Sequence, residues 1–303
     1  MAEPTRQLKL EYHVVDVFTS TPLEGNPVAV FVDAHDVSDA MMQKIAQELN
    51  LSESTFIGPP THKCFDLRVR IFTPRCEMKF AGHPTIGTAF VVRDAGIIPN
   101  NPTEMVLEEG VGPVRVRFNT GDSPIIWLES PSVLKGRTFD RSACAQVLGL
   151  ADDDLLPDIP CQILTAGNPN IFVALRDVGV VDRAVIDPTR LAKLLADQEG
   201  PVCMFIFAPV AGGAYSRMFA PALGVTEDPA TGSAAGPLAT FMMEHGLVKH
   251  DDGTRFISEQ GTKLGRRSLL HVHIKGTYGA RGIDVGGQVV PITRATMTIS
   301  PGA

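Results

Sequence analysis

Pro84-Thr85-Ile86-Gly87-Thr88-Ala89 recurs in outline later in the chain as Pro229-Ala230-Thr231-Gly232-Ser233-Ala234. Both stretches fit one pattern, which is Pro, any two residues, Gly, Ser or Thr, and Ala. Two shorter matches keep the same order: Gly25-Asn26-Pro27 with Gly167-Asn168-Pro169, and Phe72-Thr73-Pro74 with Phe219-Ala220-Pro221. Three ordered matches at nearly one spacing predict a duplicated domain.

The repeated motif opens two segments that have no broad polar face. The pattern predicts helices over residues 84–95 and 229–245, each followed by a glycine that suits a helix C-terminus. A short helix that is apolar on nearly all sides is typically buried. Segments rich in valine and aromatic residues flank both helices and predict strands. We therefore expect an α+β fold of two similar domains, each with strands wrapped about a central buried helix.

Composition limits the class of protein. The chain has 303 residues, enough for two domains of ordinary size, and 44% of them are hydrophobic. A net charge of −7 without a lysine- or arginine-rich run argues against nucleic acid or an anionic membrane as the partner. No apolar stretch reaches the roughly 18 residues needed to span a bilayer, and the polar N-terminus lacks a secretory apolar region. We expect a cytoplasmic protein.

The cysteine and histidine patterns do not support a metal or redox site. The five cysteines include no Cys-x-x-Cys pair, and we expect buried or inert thiols. His271 and His273 would share one face of a strand. No acidic or cysteine partner lies near them in the sequence, so we expect no bound metal.

The two predicted helix starts are candidate anion sites, because a first helical turn carries unpaired N–H groups and a partial positive charge. His83 precedes the first motif and Asp228 precedes the second. A cleft between the domains would then hold different titratable groups at equivalent places, and helix N–H groups could bind the carboxylate of a small substrate. The structural alternative is that both residues only cap helices, for which Asp228 is a favoured type.

Glu53 is the third candidate, in the stretch Leu51-Ser52-Glu53-Ser54-Thr55-Phe56 after a predicted helix and at the start of a strand. The corresponding strand of the second half reads Val202-Cys203-Met204-Phe205 and offers no clear equivalent acid. An acid unique to one half fits a specialised proton carrier. The alternative is a solvated carboxylate on the surface.

With these residues in view, the chain resembles the PhzF family of phenazine-biosynthesis-like isomerases, which are relatives in fold of diaminopimelate epimerase. The resemblance rests on stretches in family order from near residue 12 to near residue 240: Val15-Asp16-Val17-Phe18-Thr19, Gly25-Asn26-Pro27-Val28-Ala29-Val30, Leu51 to Phe56, Phe72-Thr73-Pro74 through Glu77, Ala81-Gly82-His83-Pro84-Thr85, and Glu227 to Ala234.

The resemblance implies two pseudo-symmetric domains, each a barrel-like, mostly antiparallel sheet around a central buried helix, with the active site between them. We expect domains over residues 10–120 and 124–290, with a last strand near residues 294–300 that crosses back to the first domain. The family also implies a homodimer, a small anionic substrate and no cofactor or metal.

The resemblance further implies that the general acid/base is Glu53, accompanied by His83, Asp228 and Ser233. In the family's best-known member these groups move a proton within a dihydro-hydroxyanthranilate ring. We expect further substrate contacts at the following residues: Gly82, Gly232, Thr231, Asn26 and Asn168. Whether His83 and Asp228 transfer protons or only position the substrate stays open, as does the substrate itself.

Two other functions remain as alternatives. An amino-acid epimerase or racemase of this fold would need two opposed thiols, at positions that align near Ala81 and Thr231, and neither residue is cysteine. A ligand- or protein-binding module without catalysis could share the same fold. The intact set of Glu53, His83 and Asp228 favours the isomerase.

Overall fold

The computed structural model describes residues 7–119, 124–249, 251–276 and 282–299. The first half of the chain contains these elements in order: β1 (Leu8–Val17), β2 (Asn26–Phe31), α1 (Asp39–Leu49), β3 (Glu53–Gly58), β4 (Leu67–Phe72), β5 (Glu77–Met78), α2 (Gly82–Asp94), β6 (Glu104–Glu109) and β7 (Gly112–Phe118).

The second half begins with β8 and is longer, because three short helices lie before its central helix. Its elements are, in order: β8 (Ile126–Glu129), β9 (Leu134–Phe139), α3 (Arg141–Val147), β10 (Cys161–Thr165), β11 (Pro169–Ala174), α4 (Val178–Arg183), α5 (Pro188–Leu194), β12 (Cys203–Val210), β13 (Gly213–Ala220), β14 (Val225–Asp228), α6 (Gly232–Glu244), β15 (Arg255–Gln260), β16 (Ser268–Lys275), β17 (Gly282–Gly287) and β18 (Val289–Ile299).

The two halves repeat one pattern of strand pairing. In the first, β2 runs parallel to β3, β3 antiparallel to β4, and β4 parallel to β6, which pairs with β7. In the second, β11, β12, β13, β15 and β16 pair in the same orientations. The remaining ladders are antiparallel, and β8 pairs with both β7 and β17, so it joins the halves. The pseudo-symmetric α+β fold is therefore confirmed.

The last described strand lies beside the first, because β18 pairs antiparallel with β1 along its length. The expected linker at residues 119–123 falls almost wholly outside the described residues, so the domain boundary stays a prediction. Among the helices that the structure describes, none has both the length and the apolar character needed to cross a membrane.

Helices α2 and α6 form the centre of each half. Each has 13 residues, and most of their side chains are buried in one continuous apolar core. That burial explains their composition, because a helix surrounded by strands on all sides has no face to present to water.

The helix starts predicted at Pro84 and Pro229 are wrong. Helix α2 begins at Gly82, where the N–H of Thr85 donates to the carbonyl of Ala81, and α6 begins at Gly232. Proline is tolerated throughout the first turn, because the N–H groups there need no helical partner. A proline therefore indicates the region in which a helix starts and not its first residue. Pro84 lies inside its helix, whereas Pro229 precedes the other.

This shift changes which site residues correspond in the two halves. His83 and Ser233 are each the second residue of a central helix, so Ser233 is the counterpart of His83. Asp228 ends β14, and its counterpart is Met78 at the end of β5. The expectation that His83 and Asp228 occupy equivalent places is therefore wrong, although both reach the same cleft.

A carboxyl group is buried beneath the first turn of α2. Glu109 ends β6 and accepts a hydrogen bond from the hydroxyl of Thr85 at 2.6 Å. Burial raises the pKa of Glu109 to about 8, and the Thr85 bond only partly opposes this. The matching strand of the second half ends at Gln260, a neutral side chain of the same length.

Glu109→Gln is expected to make the stability less dependent on pH. The folded-state pKa lies above the unfolded value, so the stabilisation from Glu109 is complete below about pH 4.5 and is lost as pH rises through about 8. The melting temperature of the parent should fall between pH 6 and pH 9 by more than that of the variant. Thermal unfolding measured across this range, with Glu104→Gln on the exposed face of β6 as control, checks it. Equal slopes for parent and variant would contradict the assignment.

Candidate active site

The cleft between α2 and α6 contains a small cavity that both halves enclose. Its volume is about 30 Å³, roughly that of one water molecule. The cavity is lined by the following residues: Glu53, Thr73, Met78, Ala81, Gly82, His83, Asn168, Cys203, Met218, Ala220, Leu223, Val225, Asp228, Thr231, Gly232 and Ser233. All of the residues predicted for the site except Asn26 are in this set.

Glu53 and His83 face each other across one side of the cavity. Glu53 is the first residue of β3, and its side chain is 12% exposed, while that of His83 is 3% exposed. His83 Nε2 lies 3.2 Å from Glu53 Oε2, yet neither atom has a hydrogen-bond partner within the described part of the chain. Glu53 is thus not a solvated surface carboxylate. The two atoms are available to a molecule in the cavity.

Asp228 is held by donors on both of its oxygens. Asn26 Nδ2 donates to Oδ1 and the Thr231 hydroxyl donates to Oδ2, each at 2.6 Å. Asn26 Nδ2 also lies 3.0 Å from the carbonyl of Ala230 and 3.2 Å from His83 Nδ1. The two amide hydrogens of Asn26 serve its shorter contacts with Asp228 and Ala230, so the contact with His83 Nδ1 does not determine the tautomer of the imidazole.

Asn26 therefore fixes the positions of Asp228 and His83 from behind, and it does not line the cavity. This arrangement does not provide the expected direct contact between Asn26 and the substrate. Gln260 has a similar part in the second half. It accepts from the Thr231 N–H at 3.1 Å and donates to the Thr231 hydroxyl at 3.0 Å, and no sequence motif pointed to it.

Burial controls the protonation of all three titratable groups. It raises the pKa of Glu53 well above its ordinary value, and the nearby charge of Asp228 raises it further. Burial also raises the pKa of Asp228, although the bonds from Thr231 and Asn26 oppose this. The pKa of His83 falls to about 3, chiefly through burial, so its imidazole is neutral near pH 7.

Of the two acids, Glu53 is the more readily protonated. Both oxygens of Asp228 accept hydrogen bonds that stabilise its ionised form, whereas Glu53 Oε2 accepts none from the described residues. A carboxyl with a raised pKa takes up and releases its proton at a higher pH than an ordinary carboxyl. The arrangement separates a readily protonated carboxyl from a fixed hydrogen-bond acceptor.

The remaining polar groups come from the two helix starts. Asn168 Nδ2 donates to Ser233 Oγ at 3.2 Å and to the carbonyl of Phe80 at 2.8 Å. Gly82 and Gly232 bring the first turns of α2 and α6 into backbone contact. No lysine or arginine occurs among the described residues that line the cavity. Helix N–H groups are therefore the positive potential available to an anion there.

The family comparisons agree with this geometry. A family model described as phenazine biosynthesis-like protein matches residues 15–295. The trans-2,3-dihydro-3-hydroxyanthranilate isomerase of Pseudomonas chlororaphis is 34% identical, over 95% of this chain and 99% of the relative.

Two solved structures extend the comparison. A PhzF-family phenazine biosynthesis protein from Bacillus anthracis has a TM-score of 0.84 at 22% identity, covering 96% of this chain and all of the other. A predicted epimerase from Pseudomonas aeruginosa has a TM-score of 0.81 at 31% identity, covering 95% and 99% of the two chains.

A duplicated α+β fold with titratable groups buried between its halves is shared with proteins named as isomerases and epimerases. The sequence matches extend over nearly the whole chain and identify its family. The chain belongs to the PhzF family of phenazine-biosynthesis-like proteins, and it is an isomerase.

Proposed function

We propose that this isomerase moves a proton within a small cyclic or unsaturated carboxylic acid, with Glu53 as the proton carrier and without a cofactor. The observation that carries the proposal is the buried Glu53 carboxyl beside a neutral His83: its pKa is raised, and its Oε2 has no hydrogen-bond partner among the described residues. The substrate class we infer is that of trans-2,3-dihydro-3-hydroxyanthranilate, on which the relative from Pseudomonas chlororaphis is named to act.

In the proposed reaction, the ionised form of Glu53 takes a proton from a carbon next to the unsaturated system. The electron pair left behind moves through the double bonds, and the same carboxyl returns the proton to another carbon of the ring. General acid–base catalysis by one placed group typically contributes about 100- to 10,000-fold in rate. No other group needs to change its protonation state during the cycle.

The other residues would orient the substrate and stabilise charge. His83 Nε2 faces a polar group of the substrate, and Asp228 accepts from an amino or hydroxyl group while Asn26 and Thr231 hold it in place. Helix N–H groups near Gly82, Gly232 and Ser233 face the carboxylate or the developing enolate. A cavity of about 30 Å³ is too small for a ring acid, so the cleft must open for binding.

The decisive experiment is an assay of the purified chain with trans-2,3-dihydro-3-hydroxyanthranilate, followed by absorbance and by NMR of the product. We expect turnover in the ordinary enzymatic range of about 1–1,000 per second. Conversion no faster than in buffer would exclude this substrate. Racemisation of an amino acid, followed by chiral chromatography in parallel, would instead favour the epimerase alternative, for which Ala81 and Thr231 provide no thiols.

A further inference from the structure

The strand register gives Glu53 a counterpart in the second half. Glu53 pairs with Val28, the second residue after Asn26, where β3 runs parallel to β2. Cys203 pairs with Asn170, the second residue after Asn168, where β12 runs parallel to β11. Each is the first residue of its strand. The second half thus has no equivalent acid, as expected, and a thiol occupies the position equivalent to Glu53.

Cys203 shares the cavity with the two acids. It is only 3% exposed, and it lines the cavity together with Glu53 and Asp228. Burial, with the charges of these two carboxyls, raises the pKa of the Cys203 thiol to about 12. The thiol is consequently neutral near pH 7 and can act neither as a base nor as a strong nucleophile.

A second observation points to a ligand beside this thiol. His83 Nε2 and Glu53 Oε2 are buried and lack hydrogen-bond partners within the described residues, and both groups line the same cavity. A molecule that forms hydrogen bonds with these two atoms would occupy the space between the halves. It meets the carboxyl of Glu53 from the first half and the residue at the equivalent position, Cys203, from the second.

On its strand ladder, Cys203 is flanked by apolar side chains. Phe205 pairs with Met218 across β12 and β13, and strand alternation places Cys203, Met218 and Ala220 on one face of this ladder. These three residues line the cavity, as do Leu223 and Val225. The wall that they form suits the flat face of an unsaturated ring better than a hydroxyl or charged group.

We propose that Cys203 contacts the substrate as part of an apolar wall opposite Glu53. The inference rests on the proposed function and deepens it.

The test combines binding and turnover of the full chain. The probe is 3-hydroxyanthranilate, an aromatic acid with the same substituents that cannot undergo the isomerisation. Cys203→Ala should weaken its binding by about 3- to 10-fold, the effect of removing one small buried contact, and should raise KM similarly while kcat changes less. Cys144→Ala is the matched control, because Cys144 is also buried but packs in a separate apolar cluster away from the cavity.

A second measurement separates contact from packing. At about ten times its Kd, the probe should slow alkylation of Cys203 by iodoacetamide about tenfold, while the exposed Cys64 reacts at an unchanged rate. Turnover by the parent with no effect of Cys203→Ala on Kd or KM would overturn the role of Cys203 alone. Weakened probe binding in Cys203→Ala without turnover by the parent would support Cys203 and contradict the proposed substrate. A parent that neither binds nor turns over would overturn both.

Discussion

Glu53→Gln is expected to lower kcat about 100- to 10,000-fold with trans-2,3-dihydro-3-hydroxyanthranilate while the fold is kept. The amide has the size of the acid but cannot carry the proton between two carbons. Substrate binding should change little, because His83, Asp228 and the helix starts remain. The measurement is steady-state kinetics of the purified variant beside the parent.

The stability of this variant should not fall at neutral pH. Because the folded-state pKa of Glu53 is raised, its stabilising effect is complete below the unfolded pKa and is lost as pH rises. A neutral glutamine avoids that loss, so thermal unfolding distinguishes a catalytic defect from a folding defect. Glu48→Gln, an exposed substitution on α1, is the control. Activity of Glu53→Gln within threefold of the parent would remove Glu53 from the reaction.

The architecture was predictable because burial leaves a strong signal in the sequence. Helices without a polar face must be surrounded, and the repeated Gly-Asn-Pro and Phe-x-Pro turns precede or follow corresponding strands in both halves. The residue-by-residue alignment of the two halves was not predictable from the proline motif. Proline fits several first-turn positions equally well, so matching Pro84 to Pro229 displaced the alignment of the central helices.

The site was partly predictable for a related reason. Glu53, His83, Asp228 and Ser233 occur in recognisable local stretches, and the fold brings all four to one cavity. The bond from Asn26 to Asp228 links residues 202 positions apart, and no local pattern records such a contact. The sequence matched the strand of Cys203 to that of Glu53, but only the strand register shows that the two residues occupy equivalent positions.

The contact of Gly82 with Gly232 explains why the two helix starts can share one cavity. A Cβ atom on Gly82 would lie 2.6 Å from Gly232 Cα and 2.8 Å from the Ser233 nitrogen. A Cβ on Gly232 would lie 2.9 Å from Gly82 Cα and 3.0 Å from the ring of Phe18. A side chain at either glycine would therefore collide with protein, and not only with the substrate, as the helix-start motif alone would indicate.

Gly82→Ala is expected to destabilise the protein and to reduce activity together. Backbone atoms cannot move aside as a flexible side chain can, so the free energy of unfolding should fall by about 1–3 kcal/mol or more, and displacement of a helix start by about 1 Å can cost about 100-fold in rate. Thermal unfolding and kcat/KM are the measurements, with Gly58→Ala as control because a Cβ there meets no atom within 4 Å. Unchanged stability in Gly82→Ala would mean that the helix starts do not require this contact. In that case another contact must hold the first turns of α2 and α6 close together at the proposed anion site.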